Sequence, residues 1–321
     1  MTDIAALAAE AASHWPQITN TPVLVMHREN TVFRVETTEG HHALRLHRPG
    51  YHSDAALQSE LDWMAMLSRE GMQVPKPAAA RTGNYLVMLD GAVPRKASLL
   101  SWLPGTPMGE TRKPLAFHGA ARTALFQNIG RQMAQMHKLT DAWTLPQGFE
   151  RPKWDAEGLI GEAPFWGPFW AIEATPDDTD LLQNIRARTK TALADYLAIG
   201  ADYGLIHADL VRENVLVDTD ALRFIDFDDS GFGFRMFDIA TTLLKNLEEP
   251  DAPALEAALL HGYTHVRPLR PADLAMLNLF VVLRSLTYLG WAHSRPDDPN
   301  IKARAERFLR VAKQVIAARM P

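Results

Sequence analysis

A chain of 321 residues, 47% of them hydrophobic, is long enough to bury a core without covalent staples, as one large domain or two lobes. It has no cysteine, which excludes a disulfide framework and thiolate metal sites and fits a reducing compartment such as the cytoplasm. A net charge of −5 without a block of like charge leaves no electrostatic footprint for nucleic acid or an anionic membrane, and no apolar run reaches the roughly 18 residues of a membrane span.

Met1 to Ala12 begins as an alanine-rich helix carrying Asp3 and Glu10, without the basic-then-apolar order of a signal peptide. From Pro22 to about Leu103 short apolar runs follow, Val23 to Met26, Val32 to Val35, Ala43 to Leu46 and Tyr85 to Leu89, separated by turn residues such as Glu39-Gly40 and Asp90-Gly91. This is the pattern of a small sheet of hairpins. One helix interrupts it. Ser53 is its expected N-cap, Leu57, Leu61, Met64 and Leu67 form its apolar stripe, and Gly71 suits a left-handed stop.

Beyond Pro104-Gly105 the pattern turns helical, with helices expected at about 118–139, 180–199, 235–248, 252–265, 271–293 and 299–319. The reading is therefore α+β, with a β-rich lobe over residues 1–103 and a mostly helical lobe over 104–321. Between the second and third helices lie two short strands, Val215 to Val217 and Arg223 to Phe227, joined by Asp218-Thr219-Asp220.

The chemistry clusters around those strands. His207-Ala208-Asp209 is followed by Asn214, five residues after the aspartate, in a loop that runs into a strand, and Asp226 stands between the apolar Ile225 and Phe227. Singly, these residues would cap a turn, tolerate a bend or end a strand. Jointly, they supply what phosphoryl transfer needs: a carboxylate to orient and deprotonate a hydroxyl, and oxygen ligands for magnesium across a triphosphate.

His207-x-Asp209-x4-Asn214 with Ile225-Asp226-Phe227 resembles the catalytic and metal-binding motifs of the protein-kinase-like superfamily. The small Ala208 resembles the aminoglycoside phosphotransferase, choline kinase and type II homoserine kinase branch. The resemblance implies a bilobal protein-kinase-like fold binding ATP and Mg2+, Asp209 as catalytic base, Asn214 and Asp226 as metal ligands, and His207 and Asp238 as supports of the catalytic loop. Asp238 has a solvated helix residue as its plain alternative. Asp228 is the substrate-facing candidate of the Asp228-Asp229 pair.

On the nucleotide side, Glu60 falls on the apolar face of its helix, and an inward carboxylate needs a cation. Ala43-Leu44-Arg45 offers Arg45 where kinases carry a phosphate-binding lysine. Arginine is permanently charged and pairs phosphate oxygens. The connection His27-Arg28-Glu29-Asn30-Thr31 has no glycine cradle, so Asn30 and Thr31 are the phosphate-loop candidates, with a plain hairpin turn as the alternative. Adenine is expected against the backbone of Ser101 to Leu103, whose amides a hinge strand would leave unpaired.

The irregular stretch Trp154 to Asp178 carries Phe165, Trp166, Phe169 and Trp170, with Glu162, Glu173, Asp177 and Asp178. Trp166 and Trp170 are candidates to enclose an amine on the acceptor, or else anchors of an ordinary loop. Gly262-Tyr263-Thr264-His265-Val266-Arg267-Pro268-Leu269, with His207-Ala208-Asp209-Leu210, resembles type II homoserine kinases, whereas Arg45-Leu46-His47-Arg48-Pro49-Gly50 resembles bacterial stress-response protein kinases. The expected partner is a small-molecule hydroxyl acceptor, an amino acid or amino alcohol such as homoserine. A protein serine/threonine kinase and a non-catalytic nucleotide-binding module are the alternatives, and a monomer or homodimer is expected.

Overall fold

The computed structural model describes residues 4–27, 29–90, 94–219 and 221–320. Met1 to Asp3, Arg28, Gly91 of the Asp90-Gly91 turn and Asp220 of the expected hairpin turn lie outside the described residues. The chain forms two compact units. The first runs to Thr106 and takes in Thr144–Arg151 and Leu216–Phe227; the second comprises Pro107–Trp143, Pro152–Val215 and the chain from Asp228 on.

The first unit begins with helix α1 (Ile4–Ala12) and is built on an antiparallel sheet of β1 (Val23–His27), β2 (Thr31–Thr37), β3 (Gly40–Leu46), β4 (Pro77–Ala78), β5 (Leu86–Leu89) and β6 (Arg95–Ser101). The order is β1-β2-β3-β6-β4, with β5 also on β6. The central strand β6 is absent from the expected runs, because its first two residues, Arg95 and Lys96, mask the short apolar stretch behind them.

Alternation sends Phe33, Val35, Leu44 and Leu46 to one face, where α1 and Trp15 cover them. Arg45 is then directed to the opposite face. Helix α2 (Asp54–Arg69) starts as expected, with the Ser53 side chain accepting from the Ala56 N–H, and Gly71 follows at φ +88°. Its buried stripe contains Leu57, Glu60, Leu61, Met64 and Leu67.

The unit is completed by the strand Ala221–Phe224. Contrary to the expected strand to Phe227, pairing ends at Phe224, because Asp226 adopts φ +66°, which a strand cannot hold.

The second unit is helical: α3 (Gly119–Asp141), α4 (Ala156–Ile160), α5 (Pro176–Ala198), α6 (Arg235–Leu244), α7 (Ala252–Val266), α8 (Pro271–Ala275), α9 (Leu277–His293) and α10 (Ile301–Arg319). Glycines let α3 and α7 cross closely. A Cβ on Gly130 would stand 2.1 Å from the Leu259 carbonyl oxygen, and one on Gly262 would stand 1.9 Å from that of Gln127.

The expected helix 271–293 is two helices, broken at Met276 without Gly or Pro to announce it. Asp273 turns inward to accept from the Tyr196 hydroxyl at 2.7 Å and pairs with Arg270. The expected helix 235–248 stops at Leu244, after which Glu249 is drawn into a buried ion pair with Arg122 and Arg212. Among the described residues no helix is long and apolar enough to cross a membrane.

Candidate active site

In the second unit the strand Tyr203–Ile206 leads into a loop bearing His207, Ala208 and Asp209. Ala208 sits at φ +66°, a left-handed conformation costing an L-residue about 1–2 kcal/mol. Asp238, fully buried at the start of α6, holds it there by accepting from the Ala208 N–H at 2.6 Å and the His207 N–H at 2.9 Å. Asp238 is thus an interior acceptor and not a solvated helix residue. Burial alone would raise its pKa, but these bonds and the neighbouring histidines hold it below the usual carboxylate range.

A third bond comes from a residue that sequence reasoning missed. His137 on α3 puts Nε2 3.0 Å from Asp238 Oδ2 and Nδ1 2.8 Å from the Tyr263 hydroxyl. Burial, with the charge of Arg235, lowers its pKa to about 4. The ring is therefore neutral at pH 7, donating from Nε2 to the carboxylate and accepting the tyrosine proton at Nδ1. The ring of His207 accepts at Nδ1 from the Asp209 N–H at 3.3 Å, so this histidine braces the loop.

Asp209 is 22% exposed, and each of its oxygens is tethered. Asn214 donates from Nδ2 to Oδ2 at 3.1 Å and to the Asp209 backbone carbonyl at 2.9 Å. Arg284, a second residue that sequence reasoning missed, donates from Nη2 to Oδ1 at 2.6 Å. Burial pushes the Asp209 pKa up; the charges of Arg284 and Lys245 oppose this, and that of Glu213 adds to it. With its NH2 group committed to Asp209, the Asn214 amide keeps its oxygen as an acceptor.

Arg284 changes the reading of the aromatic segment. Its guanidinium lies 4.6 Å from the ring centroid of Trp166, and that of Arg186 lies 3.5 Å from Trp170. The two rings expected to enclose an amine already face the protein's own cations. Trp154, Trp166 and Phe169 are buried, and the Trp154 and Trp166 indoles donate to the Asp229 carbonyl and carboxylate, so the rings anchor the segment. Of its acids, Glu162 pairs with Arg186, and Asp178 pairs with Lys313 while its backbone N–H donates to the Thr175 side chain. Asp228 is buried; its neighbour Asp229 receives the Trp166 indole.

In the first unit, Arg45 Nη2 lies 2.6 Å from Oε1 of the fully buried Glu60, the pairing expected from the inward carboxylate. Arg151, also missed, stands 3.6 Å from Oε2 and donates to the carbonyls of Ala56 at 2.9 Å and Phe227 at 3.1 Å. Phe227 is buried edge-on to Trp63 while the left-handed backbone leaves Asp226 exposed.

The other nucleotide-side candidates are engaged locally. The Asn30 side chain accepts from the Arg48 N–H at 3.0 Å, just past the end of β3, and the Thr31 hydroxyl bonds the His27 ring at 2.8 Å across the β1–β2 turn. Contrary to the expectation of unpaired amides, the Ser101 N–H donates to the Lys76 carbonyl at 2.9 Å and the Trp102 N–H to that of His41 at 3.0 Å. Residues of the neighbouring sheet strands and their flanks take up these donors. Leu103, next in the chain, has no such bond among the described residues.

The profile of the phosphotransferase enzyme family matches residues 7–274. A homoserine kinase of Xanthobacter autotrophicus is 32% identical over 289 residues, covering 84% of this chain and 82% of that protein. A homoserine kinase of Methylobacterium radiotolerans is 30% identical over 307 residues, with coverages of 89% and 87%. Among solved structures, a microcompartment-associated aminopropanol kinase superposes with a TM-score of 0.82 at 31% identity over 98% of each chain. An amicoumacin kinase with AMP-PNP and Ca2+ bound superposes at 0.78 with 22% identity over 97% of this chain and 94% of that one, a likeness of fold.

Proposed function

Because the chain belongs to the phosphotransferase enzyme family, we propose that it transfers the γ-phosphoryl group of ATP to the hydroxyl of a small amino acid or amino alcohol, with Asp209 as base. Homoserine and aminopropanol, named in its relatives, are the first acceptors to consider. The supporting observation is the Asp209 carboxylate, bonded through one oxygen to Asn214 and through the other to Arg284, on a loop that Asp238 holds.

In the reaction, an Asp209 oxygen lone pair takes the acceptor's hydroxyl proton while the acceptor's hydroxyl oxygen attacks the γ-phosphorus. The new P–O bond forms as the bond to the β-phosphate bridge breaks, and ADP leaves. Arg45, kept oriented by Glu60, pairs the nucleotide phosphates. Leu103 is the hinge residue with a backbone donor to offer adenine.

Magnesium is a hard cation that takes oxygen ligands, and the residue types suit it: the amide oxygen of Asn214 in the second unit and the exposed carboxylate of Asp226 in the first would be its protein ligands. When bound, magnesium neutralises charge developing on the transferring phosphoryl group. Because Trp166 and Trp170 face internal arginines, an ammonium on the acceptor is read by carboxylates, with Asp229 beside Asp228 as candidates.

The test is ADP release from ATP and Mg2+ over a panel of hydroxyl amino acids, amino alcohols, sugars and a generic protein acceptor. Turnover confined to small amino-bearing alcohols is expected. Turnover with protein alone, or with no acceptor, would refute the proposal.

A further inference from the structure

Arg284 lies in the middle of α9 and is fully buried, with its guanidinium walled by the rings of Trp166 at 4.6 Å, Tyr288 at 4.7 Å and Phe237 at 5.6 Å. Its Nη2 reaches Asp209 Oδ1 at 2.6 Å and the Tyr288 hydroxyl at 3.1 Å, while Nε is buried without a hydrogen-bond partner. A buried arginine with an unsatisfied nitrogen is a poor way to stabilise a helix, since a well-packed apolar side chain in such a site is often neutral or better. Stability therefore does not explain its presence. Among the described residues its ionic contact is to the carboxylate assigned as base.

Resting on the phosphotransfer reading above, we propose that Arg284 is the positioning residue for Asp209, clamping Oδ1 while Asn214 holds Oδ2, so that the carboxylate plane is fixed before an acceptor arrives. An aspartate turns easily about its last torsion, which is broad and roughly two-fold. One bond leaves that rotation open; two bonds from different directions close it. Each oxygen keeps a second lone-pair direction, so the clamp does not consume the base. The arginine itself is held on both sides. Its neighbours on α9 are buried through nearly the whole helix, and the aromatic faces restrict the guanidinium to one plane. Being wholly buried, Arg284 acts through Asp209 and not on the acceptor.

The test compares wild type with Arg284→Met, which keeps much of the volume and removes the fork, and Arg284→Lys, which keeps the charge. With an acceptor that wild type phosphorylates, Arg284→Met is expected to lower kcat about a hundredfold, the scale of a misplaced reacting group, with KM for ATP within about twofold. Arg284→Lys should recover part of the loss, and carries the comparison alone if Arg284→Met does not fold. Crystal structures of the variants should show the Asp209 carboxylate rotated away from Asn214, a readout that needs no acceptor. A kcat within about threefold of wild type, or an Asp209 rotamer unchanged in the variants, would overturn the clamp. Absence of any acceptor turnover by wild type would instead refute the phosphotransfer reading, and the rotamer comparison would still decide the role of Arg284.

Discussion

Lowering the pH should weaken the second unit through His137, and the amount follows from its surroundings. Its ring pKa is held at about 4, chiefly by burial and then by the charge of Arg235, against 6.5 in an unfolded chain. Between those values the unfolded chain binds a proton that the folded ring refuses. The stability contributed by the neutral ring is therefore complete above about pH 6.5 and is lost as pH falls toward 4. At about 1.4 kcal/mol per pH unit the full loss is about 3 kcal/mol, of which about 1.3 kcal/mol falls between pH 7.5 and 5.5. Burial, with the charge of Arg45, lowers His47 in the first unit too, so it adds in the same direction. Urea denaturation at the two pH values, comparing wild type with His137→Gln, isolates the His137 share. The glutamine amide can still donate to Asp238, and the variant should lose about 1.3 kcal/mol less than wild type over that interval. Equal losses in the two proteins would refute the assignment of a neutral, proton-refusing ring.

Three further outcomes follow from particular contacts. Arg45→Met leaves the buried Glu60 facing Arg151 at 3.6 Å and should cost about 3–5 kcal/mol, read as a lowered thermal midpoint together with weakened ATP binding. Gly262→Ala drives a Cβ into the Gln127 carbonyl oxygen across the α3–α7 crossing and should cost about 1–3 kcal/mol in urea, whereas an unchanged midpoint would mean the helices part freely. Ala208→Val places a β-branched residue at φ +66° in a buried loop and should destabilise by more than about 1 kcal/mol, while Ala208→Gly should be tolerated to within about that amount.

What sequence revealed here was local spacing and periodicity. The five-residue step from Asp209 to Asn214 fixes a loop geometry, and the helical face that carries Leu57, Leu61 and Met64 forces Glu60 inward, from which a cation on the neighbouring strand follows. Contacts across long separations stayed hidden. Arg284 is 75 residues from Asp209, and His137 is 101 from Asp238. A signal for Arg284 was present: a charge inside the most apolar stretch of the chain requires a counter-charge. Nothing in the sequence said which one. The aromatic segment left two readings open for a related reason, because a tryptophan face offers the same quadrupole to a substrate ammonium as to a neighbouring arginine. Gly262 and Tyr263, conspicuous as a motif, serve packing and the bond to His137. The break at Met276 has no Gly or Pro to signal it, and the nearby bond from Tyr196 to Asp273 is a tertiary contact that local pattern does not show.

The central claim is that Asp209 activates an acceptor hydroxyl for phosphoryl transfer from ATP. It is tested most directly by phosphorus NMR of reactions containing ATP, Mg2+ and either homoserine or an isomer of aminopropanol, each isomer in turn, run with wild type and with Asp209→Asn. Wild type should form a phosphate monoester with at least one of the two. Asp209→Asn should bind ATP normally and form that product about 10²–10⁴ times more slowly. An Asp209→Asn protein that makes the ester at the wild-type rate would contradict the account.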